Sequence, residues 1–192
     1  MSQQITNILL VGVGGQGILL ASEILSEAAM LAGFDVKKSE IHGMSQRGGS
    51  VVSHVRYGTK VFSPIVPEGE GDILFGFELM ETVRSLPLLK PGGTVVANDL
   101  QISPPAVLMG QEVYPESLAE LIKAQFQDFL LVDGQHMATD AGNVKAANTV
   151  LLGAVSKRLS IPEDYWLKAL EKMVPVKALE VNKRAFQMGR EL

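Results

Sequence analysis

Short apolar runs and amphipathic stretches alternate along much of this 192-residue chain. The run from Ile5 to Val11 ends at glycine, a pattern typical of a strand buried on both faces of a parallel sheet. From Ile18 to Gly33, apolar and small residues recur at spacings of three and four, which predicts a helix with Glu23 and Glu27 on its polar side. The chain therefore begins with a strand, a glycine turn and a helix.

The same patterns predict the other elements of an α/β fold. Further strands are expected at 35–41, 51–57, 60–66, 72–77, 94–99 and 129–133. Helices are expected near 78–89 and 116–127, and then throughout the last third, where the final helix spans 176–189. We predict one Rossmann-like domain over residues 1–192, with a mostly parallel sheet and a helical C-terminal third.

Two of these predictions depend on local signals. The β-rich runs at 51–57 and 60–66 are separated by Gly58-Thr59, which predicts an antiparallel hairpin inserted beside the sheet, with His54 at a surface or an interface. Ser160 and Glu163 have the spacing of a capping box at the start of a helix.

Composition narrows the function classes. The chain has 17 Lys and Arg against 21 Asp and Glu without long runs, so nucleic-acid binding is not expected. It has no Cys, which excludes disulfides, a thiolate nucleophile and thiolate-held iron–sulfur clusters. No secretory leader or membrane-spanning run is recognisable, so a cytoplasmic protein is expected.

The turn Gly12-Val13-Gly14-Gly15-Gln16-Gly17 follows the first strand and opens the first helix. Bare backbone and free N–H groups at a helix N-terminus suit a phosphate group. A nicotinamide site also needs an acidic residue about 20 positions further on, and Asp35 and Glu40 fit this poorly. Glycines that only allow the helix to pack closely on the sheet remain an alternative.

A second glycine-rich loop lies at 42–49. Arg47 followed by Gly48 and Gly49 suits a phosphate, a carboxylate or an acidic side chain of a partner, and a solvated loop without a ligand is the alternative. If this loop leaves the carboxyl end of its strand, it shares one crevice with the first turn. The candidate ligand-binding residues are Gly12, Gly14, Gly15, Gln16, Gly17, Ser45, Gln46, Arg47, Gly48 and Gly49.

Signals for catalysis and for metal binding are weak. His42, His54 and His136 are scattered and have no second ligand at metal-binding spacing. Nucleophile elbows, Walker sequences and paired carboxylates are not found. We therefore predict no metal site and no catalytic residue in this chain.

Three segments together resemble one known family. GVGGQG at 12–17, KKSEIHGMSQRGGSVVSHVRYG at 37–58 and GNVKAANTVLLGA at 142–154 are similar to gamma-type subunits of 2-oxoacid:ferredoxin oxidoreductases, and most similar to the small, beta-type subunits of the indolepyruvate enzymes. The likeness extends over almost the whole chain. Members specific for pyruvate or 2-oxoglutarate share much of this pattern and remain alternatives, as does a free-standing nucleotide-binding protein.

The resemblance implies an accessory subunit of an enzyme complex. Such a complex oxidatively decarboxylates an aryl 2-oxoacid such as indolepyruvate to its acyl-CoA, with ferredoxin as electron acceptor. Thiamine diphosphate and 4Fe-4S clusters are then expected in a large partner subunit, through which ferredoxin is reached, and coenzyme A is the co-substrate. The glycine loops are expected to face coenzyme A or the partner, and the isolated chain is expected to be inactive and able to form a homodimer.

Overall fold

The computed structural model describes residues 5–42 and 49–192, with the backbone alone at His42. Its centre is a six-stranded sheet in the order β2-β3-β1-β4-β5-β6. The strands are β1 Ile5–Val13, β2 Asp35–His42, β3 Ser50–Gly58, β4 Gly71–Gly76, β5 Leu89–Asn98 and β6 Phe129–Val132. The pairs β1–β4, β4–β5 and β5–β6 are parallel, and β3 is antiparallel to both β1 and β2.

Helices cover both faces of the sheet. They are α1 Ile18–Leu31, α2 Leu79–Ser85, α3 Pro105–Leu108, α4 Leu118–Gln125, α5 Gly134–Ala141, α6 Ala147–Ser156, α7 Glu163–Met173 and α8 Val176–Arg190. Short 3-10 turns lie at Leu86–Leu88 and Val144–Ala146. The predicted α/β class and the helical C-terminal third are therefore confirmed. Within residues 5–42 and 49–192, no helix has the length and apolar content needed to cross a membrane.

The central strands are buried on both sides, as their continuous apolar runs predicted. Ile8 and Leu10 pack in the larger apolar cluster, with α1 and the four C-terminal helices. Leu9 and Val11 point to the other face, into a smaller cluster with α2 and α4. Glu27 was predicted on the polar side of α1, but α7 packs there and Lys172 forms an ion pair with the Glu27 carboxylate at 2.8 Å.

The inserted antiparallel hairpin is present, but it is built from β2 and β3, whose register runs from Asp35 opposite Gly58 to His42 opposite Val51. The predicted second strand at 60–66 is wrong. Pro64 interrupts the N–H donors of this segment, and side chains bind its backbone instead of a neighbouring strand. The Arg56 guanidinium donates to the carbonyls of Ser63 and Ile65 at 3.0 and 2.9 Å.

His54 lies beneath this segment and is 5% exposed, so the predicted surface position is wrong. Its Nδ1 accepts a hydrogen bond from the amide of Val66 at 3.1 Å. Burial, and to a smaller extent the charge of Arg56, lower the pKa of His54 below 6.5. The imidazole is therefore held in its neutral form as a structural acceptor.

The predicted capping box at Ser160 is also wrong. Helix α7 begins at Glu163 after Pro162, without a side-chain cap. The Glu163 carboxylate instead reaches helix α8, where it accepts a hydrogen bond from Gln187 at 2.5 Å and lies 3.2 Å from Arg190 Nε. A contact between two helices has replaced the local one.

Helices α6 and α8 approach each other through two glycines. A Cβ atom added at Gly189 would overlap the carbonyl oxygen of Val150, and one at Gly153 would overlap the carbonyl oxygen of Phe186. Both obstacles are backbone atoms, which cannot rotate away. The two helices therefore pack backbone to backbone at this crossing.

Candidate functional site

The first glycine turn joins β1 to α1 at the carboxyl edge of the sheet. Gly15 has φ +104° and Gly17 has φ +79°, in the region that favours glycine. Gly17 is the N-cap of α1 and provides no side-chain cap. The first intrahelical bond runs from the Ala21 amide to the Gly17 carbonyl at 3.0 Å. The preceding three amides thus lie at the positive end of the helix dipole, where an anion is stabilised.

Gln16 folds back onto the sheet and braces this turn. Its Oε1 accepts a hydrogen bond from the Val13 amide at 2.6 Å, and its Nε2 donates to the Phe77 carbonyl at 2.8 Å. Gly12 leaves the space for this arrangement, because a Cβ there would lie 2.5 Å from Gln16 Oε1. Both residues were predicted to bind a ligand, and their contacts in the structure hold the shape of the turn.

The second glycine loop meets the first at its C-terminal end. Because β1 and β2 point in the same direction with β3 between them, the end of β2 lies at the same edge as the end of β1. The Gly14 amide donates to the Gly49 carbonyl at 2.9 Å. Ser45, Gln46, Arg47 and Gly48 lie outside the described residues, so their predicted role stays a prediction.

Two cavities flank the glycine turn. The first, of about 550 Å³, is mainly apolar and is lined by Gly14, Gly15, Gly17, Ile18, Leu19, Leu20 and Val51. The second, of about 400 Å³, lies at the carboxyl ends of β1, β4 and β5, between the strands where the chain changes direction across the sheet. This is the place where open α/β sheets bind ligands.

The second cavity contains polar residues that were not predicted from the sequence: Asn98, Gln135, Lys145 and Asn148. Among the described residues that line it, Lys145 is the one charged side chain, and it is exposed. Its positive charge and the N-terminus of α1 act on the same space. The second cavity is therefore suited to an anionic group.

Asn98 and Asn148 fix the walls of the second cavity. Asn98 donates to the Phe77 carbonyl at 3.2 Å and accepts from the Gly134 amide at 3.1 Å, which ties β4, β5 and the start of α5 together. Asn148 packs so closely on Gly17 that a Cβ there would lie 2.7 Å from its Nδ2. Gly17 is thus required by its backbone conformation and by this contact. Lys145 and Asn148 belong to the GNVKAANTVLLGA segment, but only the fold places them beside the turn.

A buried carboxylate supports the remaining wall. Glu78 is 0% exposed and accepts hydrogen bonds from the Glu81 amide at 2.9 Å, from the Ile102 amide at 3.1 Å and from the Tyr114 hydroxyl. Burial and this hydrogen bond to Glu78 raise the pKa of Tyr114 well above 10. Tyr114 therefore stays protonated and donating, and the segment from Leu100 to Tyr114 is anchored over the end of β4.

Comparisons with known proteins show which proteins this chain is similar to in sequence and fold. A sequence model of the family described as "Pyruvate ferredoxin/flavodoxin oxidoreductase" matches residues 7–192. The chain is 42% identical over 188 residues to indolepyruvate oxidoreductase subunit IorB of Pyrococcus horikoshii, covering 95% of this chain and 93% of that protein. It is 31% identical over 152 residues to the pyruvate/ketoisovalerate oxidoreductases common subunit gamma of Thermococcus litoralis, covering 78% of this chain and 76% of that protein. Among solved structures, the keto/oxoacid ferredoxin oxidoreductase gamma subunit of Geobacter sulfurreducens superposes with a TM-score of 0.70 at 28% identity, covering 97% of this chain and 96% of that one.

Proposed function

The chain belongs to the pyruvate ferredoxin/flavodoxin oxidoreductase family and is a subunit of a 2-oxoacid:ferredoxin oxidoreductase, and we propose that this enzyme acts on indolepyruvate or a related aryl 2-oxoacid. The observation that carries the substrate class is the higher identity, over more of the chain, to an indolepyruvate oxidoreductase subunit than to a subunit shared by pyruvate and ketoisovalerate enzymes. Oxidative decarboxylation then yields CO2, the acyl-CoA and reduced ferredoxin.

We assign the redox chemistry to a large partner subunit. Protein iron–sulfur clusters are held mainly by Cys thiolates, and this chain contains no Cys. The residues present therefore do not fit a 4Fe-4S cluster, and the proposal gives this chain neither the clusters nor thiamine diphosphate. Electrons reach ferredoxin through the partner, and this chain is inactive alone.

Coenzyme A is the ligand that we propose for the second cavity. Its phosphates are anionic, and the cavity is bordered by the N-terminus of α1 and by Lys145. The turn glycines Gly15 and Gly17 would present backbone to a phosphate, while Gln16 and Gly12 maintain the turn. Arg47 would add a second cation from the neighbouring loop. In this arrangement the chain binds and orients the co-substrate and takes no part in bond making.

A free-standing NAD-binding protein is the less favoured alternative. In dinucleotide-binding folds, the acidic residue that binds the ribose ends the strand beside β1. Here β3 lies between β1 and β2, so Glu40 is one strand further from the glycine turn. Glu40 is also paired with Lys38 at 3.2 Å. These contacts favour the subunit function.

The first test is to purify the tagged chain from its own host without oxygen. A large partner with iron–sulfur absorbance is expected, together with dye reduction that requires both coenzyme A and a 2-oxoacid. Indolepyruvate should give a higher kcat/KM than pyruvate or 2-oxoglutarate. A preference for pyruvate or 2-oxoglutarate would overturn the substrate class, and a colourless lone chain that binds NAD would overturn the subunit function.

The coenzyme A site is tested by Lys145→Ala in the complete complex. We expect the KM for coenzyme A to rise about tenfold with kcat nearly unchanged, since a charge-assisted hydrogen bond contributes about 1.5 kcal/mol. The matched control is Lys157→Ala, an exposed lysine just beyond the other end of α6. Arg47→Ala should likewise raise the KM for coenzyme A and leave kcat nearly unchanged.

Two results would contradict this site. An unchanged KM for coenzyme A in both Lys145→Ala and Arg47→Ala rejects a phosphate contact. Dissociation of the complex in gel filtration, with a normal KM in the fraction that stays assembled, would show instead that these cations contact the partner protein.

A further inference from the structure

The outer edge of β2 is a free strand edge in the described part of the chain. Strand β2 is last in the sheet and hydrogen-bonds to β3 on its inner side only. A free edge presents unpaired N–H and C=O groups to any strand that can align with it. Lysines on such an edge usually prevent this pairing, and β2 carries Lys37 and Lys38.

Strand β2 carries opposite charges on the two sides of one small residue, Ser39. Lys38 and Glu40 flank Ser39 and lie on the same face of the strand, where Lys38 Nζ is 3.2 Å from Glu40 Oε1 and 3.6 Å from Glu23 Oε1 of α1. The Lys38 and Glu40 side chains remain 36% and 28% exposed, so both have room for a second partner. A strand with this pattern is complementary to itself when it is reversed.

We propose that two copies of this chain pair antiparallel through β2, around a two-fold axis at Ser39. Ser39 then lies opposite Ser39 of the second copy, and Lys38 lies opposite Glu40 of the second copy on both sides of the axis. Directly opposed residues in an antiparallel pair have Cβ atoms about 5 Å apart, within reach of an ion pair. The two copies form one continuous twelve-stranded sheet.

The charges also select this register. A two-fold axis perpendicular to the sheet keeps every side chain on its own face, and directly opposed residues must lie on the same face. The axis therefore lies midway between the two copies of a single β2 residue. An axis at Lys38 would oppose two lysines, and an axis at Glu40 would oppose two glutamates, which is destabilising. The lysines that prevent pairing in the neighbouring registers are therefore compatible with the register centred on Ser39.

Helix α1 extends the same surface with apolar side chains. Leu19, Glu23 and Met30 share one face of α1, since they are four and seven residues apart. The ion pair between Glu23 and Lys38 shows that this face borders β2. Leu19 is 46% exposed and Met30 is 51% exposed. On the opposite face of the sheet, Ile41 would lie against the aliphatic part of Lys37 from the second copy.

Cysteine cross-linking of the full chain and of its complex tests the pairing, because the native sequence has no Cys. In Ser39→Cys, the two thiols would stand on opposed residues with Cα atoms about 5 Å apart, which a disulfide spans. The matched control is Lys37→Cys, on the same face of the same strand, whose two copies would be about 14 Å apart in this register. We expect Ser39→Cys to form a disulfide dimer under mild oxidation and Lys37→Cys to stay unlinked.

Charge reversal gives a second test that does not depend on oxidation. Lys38→Glu should raise the dimer Kd about tenfold in sedimentation experiments, since it opposes two glutamates. The double variant Lys38→Glu, Glu40→Lys restores opposite charges across the axis and should restore the dimer. Circular dichroism identifies any variant that fails to fold. Equal cross-linking of both cysteine variants, faster linking of Lys37→Cys, or a monomeric wild type at millimolar concentration would overturn the proposal.

Discussion

Glycines serve opposite purposes in two regions of this molecule. In the turn from Gly12 to Gly17, Gly15 provides a left-handed backbone conformation and an open approach, since a Cβ atom there would meet nothing within 4 Å. At the crossing of α6 and α8, Gly153 and Gly189 have ordinary helical backbone, and a Cβ atom would overlap the opposite main chain. The first group forms a recognisable motif, while the second follows from the packing of two distant segments. Whether a glycine belongs to a recognisable sequence motif therefore does not indicate how strictly the structure requires it.

Gly189→Ala should have the largest effect. The new methyl group overlaps the Val150 carbonyl, so α8 must move away from α6, at a cost of about 3 kcal/mol or more. Chemical unfolding of the purified chain measures this loss. Gly69→Ala is the control, since φ is +74° and the surroundings are open, and backbone strain alone costs about 1–2 kcal/mol. Equal losses in the two variants would contradict the packing role of Gly189.

Gln16→Leu should have the next largest effect and distinguishes support of the turn from ligand contact. It removes an acceptor from the Val13 amide and one donor from the Phe77 carbonyl. We expect the free energy of unfolding to fall by about 2–3 kcal/mol, because the Val13 amide is left without a partner at a partly buried site. If the free energy of unfolding is unchanged while the KM for coenzyme A rises, Gln16 contacts the ligand and the proposed bracing role is wrong.

Gly15→Ala should have the smallest effect on stability. The added methyl group has space, and only the φ of +104° opposes it, which costs about 1–2 kcal/mol. If a phosphate approaches the bare backbone, we expect the KM for coenzyme A to rise. Converted to a free energy, this rise should exceed the small loss of stability. A loss as large as that of Gly189→Ala would show that the turn is as closely packed as the helix crossing.

Much of the fold could be predicted from local patterns. The runs around Leu9 and the periodicity after Ile18 are strong because each depends on one segment and its burial. The strand at 60–66 was wrong because side chains of Arg56 and His54 satisfy its backbone, and β3 pairs with β2 instead. The predicted capping box was wrong because a contact with a distant segment again replaces the local one: the Glu163 carboxylate binds Gln187 and Arg190 of α8.

The candidate site was predictable only in part. The glycine turn was visible because its spacing, strand and helix are contiguous in the sequence. Lys145 and Asn148 are more than 120 residues away from this turn, and no spacing rule connects them to it. The bracing role of Gln16 was equally hidden, because its acceptor is the carbonyl of Phe77, just after the distant strand β4. Side chains that complete a site from distant segments need the fold.

The position of β3 between β1 and β2 has a kinetic consequence. Strands β2 and β3 are neighbours in sequence, so their hairpin can form on the microsecond timescale of local structure. Pairing of β3 with β1 must close the segment 14–49, which lies between Val13 and its partner Ser50, and is expected to be slower. The bond from Gly14 to Gly49 requires that slower step. We expect the rim formed by the two glycine loops to appear late in folding, after the hairpin has docked on the parallel strands.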